Sequence, residues 1–170
     1  MAENPMREIR IEKLVINIGC GEGGEKLDRA KKLMQTLSKQ KVAITKTHKR
    51  TTFGMAKNRP IGCKITLRGK EAIEFLKRAL DAVEYKLKNS CFDKQGNFSF
   101  GIAEHISLPG MRYDPEIGIF GMDICVRLER RGYRVLRKHN PRKISKSHRI
   151  TPEEAKQFMI KNFNVKIEGE

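Results

Sequence analysis

An α+β domain with an open, mostly antiparallel sheet and helices packed on one of its faces is the architecture that the 170-residue sequence predicts. Two observations carry this. Segments with the two-residue period of a strand outnumber segments with helical spacing. Helical segments also follow short strand pairs instead of alternating strictly with single strands, as a doubly wound parallel sheet would require. The length suits one core, so residues 1–170 are expected to form a single domain, with a basic inter-strand loop at 49–60 and a basic arm at 130–149.

The elements follow in order. Ile9 to Ile18 is rich in β-branched residues, and Leu14, Ile16 and Ile18 alternate with Lys13, Val15 and Asn17. A glycine-rich turn, Gly19–Gly24, comes next. Lys26 to Ser38 then fits a helix with Leu27, Ala30, Leu33, Met34 and Leu37 along one face. Val42 to His48 and Ile61 to Leu67 read as strands flanking the basic loop. The longest predicted helix, Lys70 to Lys88, buries Leu76, Ala79, Leu80, Val83 and Leu87. Phe98 to Ile102 and Met122 to Leu128 supply further strands, with Phe98 and Phe100 taken as core. A last helix opens at Thr151-Pro152-Glu153-Glu154, where Thr151 caps, Pro152 fits the first turn and Glu154 completes a capping box. Its inner face is Ala155, Phe158, Met159 and Phe163.

Charge is segregated. Arg29 to Lys70 holds 13 basic residues and Arg130 to Arg149 holds 9, and neither stretch contains an acid. Together they account for 22 of the 36 basic residues, leaving the remainder of the chain at −6. Solvated surfaces usually mix both signs. Acid-free cationic stretches suit a polyanion, because each phosphate neutralised releases a condensed counterion. Nucleic acid is therefore the expected partner. No apolar run approaches the ~20 residues of a membrane helix, and neither basic run has a large apolar helical face, so no membrane partner is expected. Residues 1–13 mix charges of both signs and show no secretory signal. Cys20, Cys63, Cys91 and Cys125 are far apart without a CxxC, which disfavours zinc and suits reduced core thiols in a cytosolic compartment.

Strand alternation singles out a face. Cys63, Ile65 and Leu67 point to the helix-covered side, so Lys64, Thr66 and Arg68 occupy the other, together with Val15 and Asn17 of the first strand. Asn, Thr, Lys and Arg on an open face offer hydrogen bonds to bases and 2′-hydroxyls and neutralise phosphates. The loop Lys49–Pro60 adds Lys49, Arg50, Lys57 and Arg59 around Phe53, which can stack on a base or pin the loop to the body. The arm, with Arg134, Arg137, Lys138, Arg142, Lys143, Lys146 and Arg149 among Gly, Pro and Ser, reads as extended and ordered only on binding.

Catalytic readings are weaker. Gly19-Cys20-Gly21-Glu22-Gly23-Gly24 matches GxGxxG between a predicted strand and helix, as in a dinucleotide-binding enzyme. The acid expected about 20 residues on is missing, since none occurs between Asp28 and Glu71. A tight turn needing positive φ explains the glycines equally well. His48, His105, His139 and His148 lack metal-ligand spacing, no GxSxG is present, and Glu104, Asp114 and Asp123 are not placed in one cleft by their spacing. No enzyme, no cofactor and no metal are expected. A nonspecific RNA chaperone is the alternative among binding proteins.

Four blocks carry a family resemblance. These are Leu14–Gly19, Pro60–Gly69, Phe100–Ile106 and Tyr113-Asp114-Pro115-Glu116-Ile117-Gly118-Ile119-Phe120-Gly121-Met122-Asp123, in that order. Together they resemble the universal large-subunit ribosomal protein family that binds 5S ribosomal RNA, L-five in bacteria and L-eleven in eukaryotes. Leu128–Val135 and the basic tail after it are similar to the archaeal and eukaryotic branch. The resemblance implies a cytoplasmic ribosomal component in the central protuberance. Its implied partners are 5S rRNA, large-subunit rRNA, a neighbouring 5S-binding ribosomal protein, P-site tRNA, and a small-subunit head protein at an intersubunit bridge. It implies rRNA contacts at Asn17, Gln40 and Thr66, and tRNA contacts from Arg50, Phe53, Lys57 and Arg59. No residue pairing for the bridge carries over. Ser38-Lys39-Gln40-Lys41 departs from the family's Gly-Gln-x-Pro turn, keeping Gln40, and the loop is slightly shorter than in relatives.

Overall fold

The computed structural model describes residues 4–50, 54 and 56–169. Seven strands and three α-helices are found among them: β1 (Ile9–Gly19), α1 (Glu25–Leu37), β2 (Ala43–Lys46), β3 (Pro60–Leu67), α2 (Gly69–Ala82), β4 (Lys86–Lys88), β5 (Phe98–Ile102), β6 (Met122–Arg130), α3 (Pro152–Phe163) and β7 (Lys166–Glu168). Five strands form an antiparallel sheet in the order β2-β3-β1-β6-β5, while β4 and β7 pair in parallel. The α+β class with an open sheet is as expected. The described residues of 1–14, 68–100 and 126–170 form one compact unit, and those of 15–67 and 101–125 form another.

In the second unit, α1 packs on β3 through the face the periodicity marked: Leu27, Ala30, Leu33, Met34 and Leu37 are all buried. Facing them are the inward residues Ile16, Ile18, Cys63, Ile65 and Leu67. β2 pairs antiparallel with β3, Ala43 opposite Lys64 and Thr45 opposite Gly62, with an irregularity after Thr45. Gly62 is required here, because a Cβ would lie 2.6 Å from the Ile18 carbonyl oxygen. The strand predicted over 42–48 is thus shorter, and Thr47 leaves it to close the loop that follows.

In the first unit, Phe75, Leu76, Ala79 and Leu80 of α2 are buried, as are Ala155, Met159 and Phe163 of α3, while Phe158 is half-buried. Phe98 and Phe100 are core residues as expected, their rings stacked at 6.4 Å. The capping box is complete: the Glu154 N–H donates to Thr151 Oγ1 at 3.3 Å, and the Thr151 N–H to Glu154 Oε2 at 3.0 Å.

Three expectations are corrected. The helix predicted to run to Lys88 ends at Ala82, because Glu84 and Tyr85 turn left-handed (φ 53° and 56°) and residues 86–88 become a strand. Leu87 is buried on either arrangement, so helical spacing could not tell them apart. The partner strand, β7, lies far away in sequence, and the Lys166 N–H seals the junction on the Tyr85 carbonyl at 2.7 Å. The arm is not simply extended, having 3-10 turns at Tyr133–Arg137 and Lys146–His148. Finally, the four cysteines are free thiols but not all core: Cys125 is exposed and Cys91 half-buried, because Cys125 falls on the outward register of β6.

Candidate nucleic-acid interface

Alternation leaves one sheet face of the second unit uncovered. Lys64 is exposed, Val15, Asn17 and Thr66 are half-exposed, and Asp123 and Cys125 are exposed on β6. Asn17 and the Lys64/Thr66 pair thus stand on neighbouring strands of one face, as the sequence implied. Asp123 was missed as part of this face. The Asn17 amide nitrogen donates to Asp123 Oδ2 in a long contact of 3.5 Å, which turns the amide carbonyl outward as an acceptor. A carboxylate repels phosphate, so this part of the face suits base edges and 2′-hydroxyls, and Lys64 suits the backbone.

Gln40 is exposed in the turn between α1 and β2. Ser38 replaces the usual turn glycine by chemistry of its own: its N–H donates to Met34 carbonyl oxygen, and its Oγ accepts the Gln40 N–H at 3.1 Å. Arg68 is exposed at the N-cap of α2, with extended backbone, and belongs to the first unit. The structure therefore does not group it with the other face residues.

The basic loop has a defined neck. Thr47 is buried, and its Oγ1 donates to the Ala56 carbonyl at 2.8 Å and accepts the Arg59 N–H at 3.1 Å. Its backbone N–H donates to Arg59 carbonyl oxygen, and its carbonyl accepts the Asn58 N–H. Lys49, Arg50, Lys57 and Arg59 are exposed beyond or at this neck. Phe53 lies outside the described residues. Thr47 carried no sequence signal beyond a hydroxyl at the end of a predicted strand.

In the first unit, the arm residues Arg134, Lys138, Arg142, Lys143, Lys146 and Arg149 are exposed. Arg137 is different. Its guanidinium bridges Glu12 and Glu129 (2.8 Å to Glu129), two carboxylates whose side chains are only 6% exposed. Arg10 joins Glu129 at 2.6 Å and Arg127 joins Glu12 at 2.9 Å. Arg137 is thus committed to protein carboxylates and is not a free phosphate ligand, a correction that only long-range pairing could supply. Arg130, at the root of the arm, is buried and donates to the carbonyls of Arg7, His148 and Arg149 and to Glu154.

The dinucleotide reading finds no support in the glycine turn. The amides of Cys20 and Gly21 both donate to the Ile61 carbonyl, and Glu25 and Asp28 occupy the first turn of α1. Amides already bonded and acids at the helix start disfavour an incoming pyrophosphate. The carboxylates also have separate duties: Asp114 Oδ1 accepts the Glu116 N–H within its own turn, and Asp123 holds Asn17.

Comparison with known proteins decides the family. Residues 4–52 match the family model for ribosomal protein L5, and residues 60–165 match that for the ribosomal L5P family C-terminus. The chain belongs to the ribosomal L5 family. The large ribosomal subunit protein uL5 of Sulfolobus acidocaldarius is 53% identical over 97% of this chain and 94% of its own. That of Sulfurisphaera tokodaii is also 53% identical, over 96% of this chain and 94% of its own. The Methanosphaera stadtmanae uL5 is 48% identical, over 97% and 99% respectively. The L5 matches cover the face strands β1 and β3, the turn with Gln40 and the whole arm, whereas residues 53–59 of the basic loop fall between them.

Proposed function

We propose that this L5-family protein is an architectural joint that binds 5S rRNA through the open sheet face and large-subunit rRNA through its cationic arm, while the loop at 49–60 reaches the P-site tRNA. The coarser role follows from the family: the chain is a non-enzymatic structural constituent of the large ribosomal subunit, working in cytoplasmic ribosomes. The observation that carries the finer reading is the pairing of unlike surfaces. A mixed polar face of Asn17, Thr66, Lys64 and Asp123 suits recognition of RNA edges and 2′-hydroxyls, whereas the acid-free loop and arm suit phosphates. The same reading assigns a neighbouring 5S-binding ribosomal protein and a small-subunit head protein as protein partners. None of the helices among the described residues is long and apolar enough to cross a membrane.

The test is binding to 5S rRNA at near-physiological salt against excess tRNA and unrelated duplex. Asn17→Ala and Thr66→Ala are expected to weaken selective 5S binding, and Arg50→Ala to leave it nearly unchanged. Binding erased by both competitors, or equal losses on every RNA for all three variants, would favour a nonspecific RNA chaperone instead.

A further inference from the structure

The arm contains more structure than a cationic tail needs. Gly132 is left-handed (φ 97°), the Val135 N–H returns to the Gly132 carbonyl, and the Arg142 N–H donates to the Val135 carbonyl at 3.3 Å. This last bond closes residues 135–142 into a loop. The loop borders an open cleft of about 750 Å³, in which the apolar Val135 lies among Arg134, Arg137, Lys138, His139, Asn140 and Arg142. Its floor is fastened from below, since Arg137 reaches both Glu12 and Glu129, which are held in turn by Arg127 and Arg10. The two ends of the arm are tied together outside this loop: Tyr133 Oη donates to the His148 carbonyl at 3.2 Å and accepts the Ile150 N–H at 3.0 Å.

We propose that Arg134–Arg142 is a preformed cup for RNA backbone phosphates, with Glu12 and Glu129 as positioning residues that hold its shape through Arg137. The proposal rests on the RNA-binding reading above and goes beyond it in naming a site, a ligand group and a division of labour. Arg137 is neutralised by carboxylates and serves as scaffold. Among the described residues no ion pair engages Arg134, Lys138 or Arg142, which leaves three cations lining the cleft without a carboxylate partner. Because the loop is closed before binding, a phosphate entering it does not have to order the chain, and affinity gains the entropy that a flexible arm would lose.

A charge argument and a shape argument make opposite predictions for Glu129→Gln. The substitution adds one net positive charge, so an arm acting by charge alone binds RNA more tightly. A preformed cup loses its floor and binds about fivefold more weakly, the cost of ordering one more long side chain on binding. Because Glu129 is buried, a surface variant accompanies it. The double substitution Arg134→Ala/Arg142→Ala in the full chain should reduce the salt slope of binding to an unrelated single-stranded oligoribonucleotide by about 1.4, roughly 0.7 for each phosphate no longer neutralised. The Arg142 amide should also be protected from hydrogen exchange in the RNA-free protein. A rapidly exchanging Arg142 amide, an unchanged salt slope, or tighter binding by a folded Glu129→Gln protein would each overturn the cup. Loss of 5S selectivity with the slope change intact would overturn the 5S reading and leave the cup standing.

Discussion

His105 Nδ1 accepts the Phe120 N–H at 3.3 Å, while the His105 N–H donates to the Phe120 carbonyl at 2.9 Å. This two-way clasp closes the long excursion between β5 and β6. Gly121 beside it is closely packed, since a Cβ would lie 3.0 Å from the Ala103 carbonyl oxygen and the backbone there would have to give by a few tenths of an ångström. His105 is buried, and its Nδ1 can accept only while that nitrogen carries no proton.

Burial lowers the pKa of His105 below its ordinary 6.5, outweighing the opposing effects of the Phe120 bond and Glu104. The unfolded chain therefore takes up a proton first as pH falls. The stability this group contributes is full above about pH 6.5 and is lost as pH falls through the window beneath it. The midpoint of thermal unfolding should drop on acidification below pH 6.5, and drop less in His105→Leu. That variant should be less stable at pH 7.5 by about 1–3 kcal/mol, because the Phe120 N–H loses its acceptor. Identical pH profiles for the two proteins would refute the role given to the ring.

Arg130 and Glu154 anchor the start of α3 to the root of the arm at 2.7 Å. Burial pushes the Glu154 carboxyl up, but the Thr151 N–H and the Arg130 guanidinium outweigh it and hold the group below its usual 4.5. A depressed carboxyl contributes stability above its unfolded value, so this contribution should disappear as pH falls below about 4.5. Arg130→Ala removes a buried charge with four partners and should cost about 3 kcal/mol, whereas Thr151→Ala should cost about 1 kcal/mol as a lost cap. Denaturant titration distinguishes the two. A smaller loss for Arg130→Ala than for Thr151→Ala would contradict the anchoring role.

Thr47→Val keeps the shape of the side chain and deletes both hydroxyl bonds of the loop neck. The expected cost is about 1–3 kcal/mol for the stranded Arg59 N–H and Ala56 carbonyl. Amide exchange at Arg59 should accelerate while amides in α3 stay protected. Uniform acceleration across the chain would mean that Thr47 supports the whole fold and not the loop.

Thiol labelling reads the open face directly. Burial pushes the Cys63 thiol up to about 11, with neighbouring Cys20 adding to the effect, and burial raises Cys20 against the pull of Lys26. Burial and Asp123 also raise Cys125, yet that side chain is exposed. Near pH 8 Cys125 should react first, Cys91 more slowly, and Cys20 and Cys63 only on unfolding. Bound 5S rRNA should protect Cys125 if the sheet face is the interface. Full reactivity in the complex would move the interface elsewhere.

Much of this is legible in the amino-acid order. The three helices, the five strands of the main sheet, the Thr151 capping box and the acid-free charge blocks are all local patterns, as are Asn17, Lys64 and Thr66 on one face. Spacing of 2 and 3.6 residues specifies which side of an element is wet, and it needs no knowledge of the partner. Fold class, family and the segregation of charge into acid-free stretches are therefore properties of the chain before it folds. Packing alone makes residues 86–88 leave the helix to pair with β7, lets Thr47 close the loop, clasps His105 to Phe120, and brings Glu12 and Glu129 onto Arg137. Each of these joins groups separated along the chain, by 125 residues in the case of Arg137 and Glu12. Periodicity and net charge are short-range signals, whereas hydrogen bonds and ion pairs form between whatever groups the packed core brings within about 3 Å.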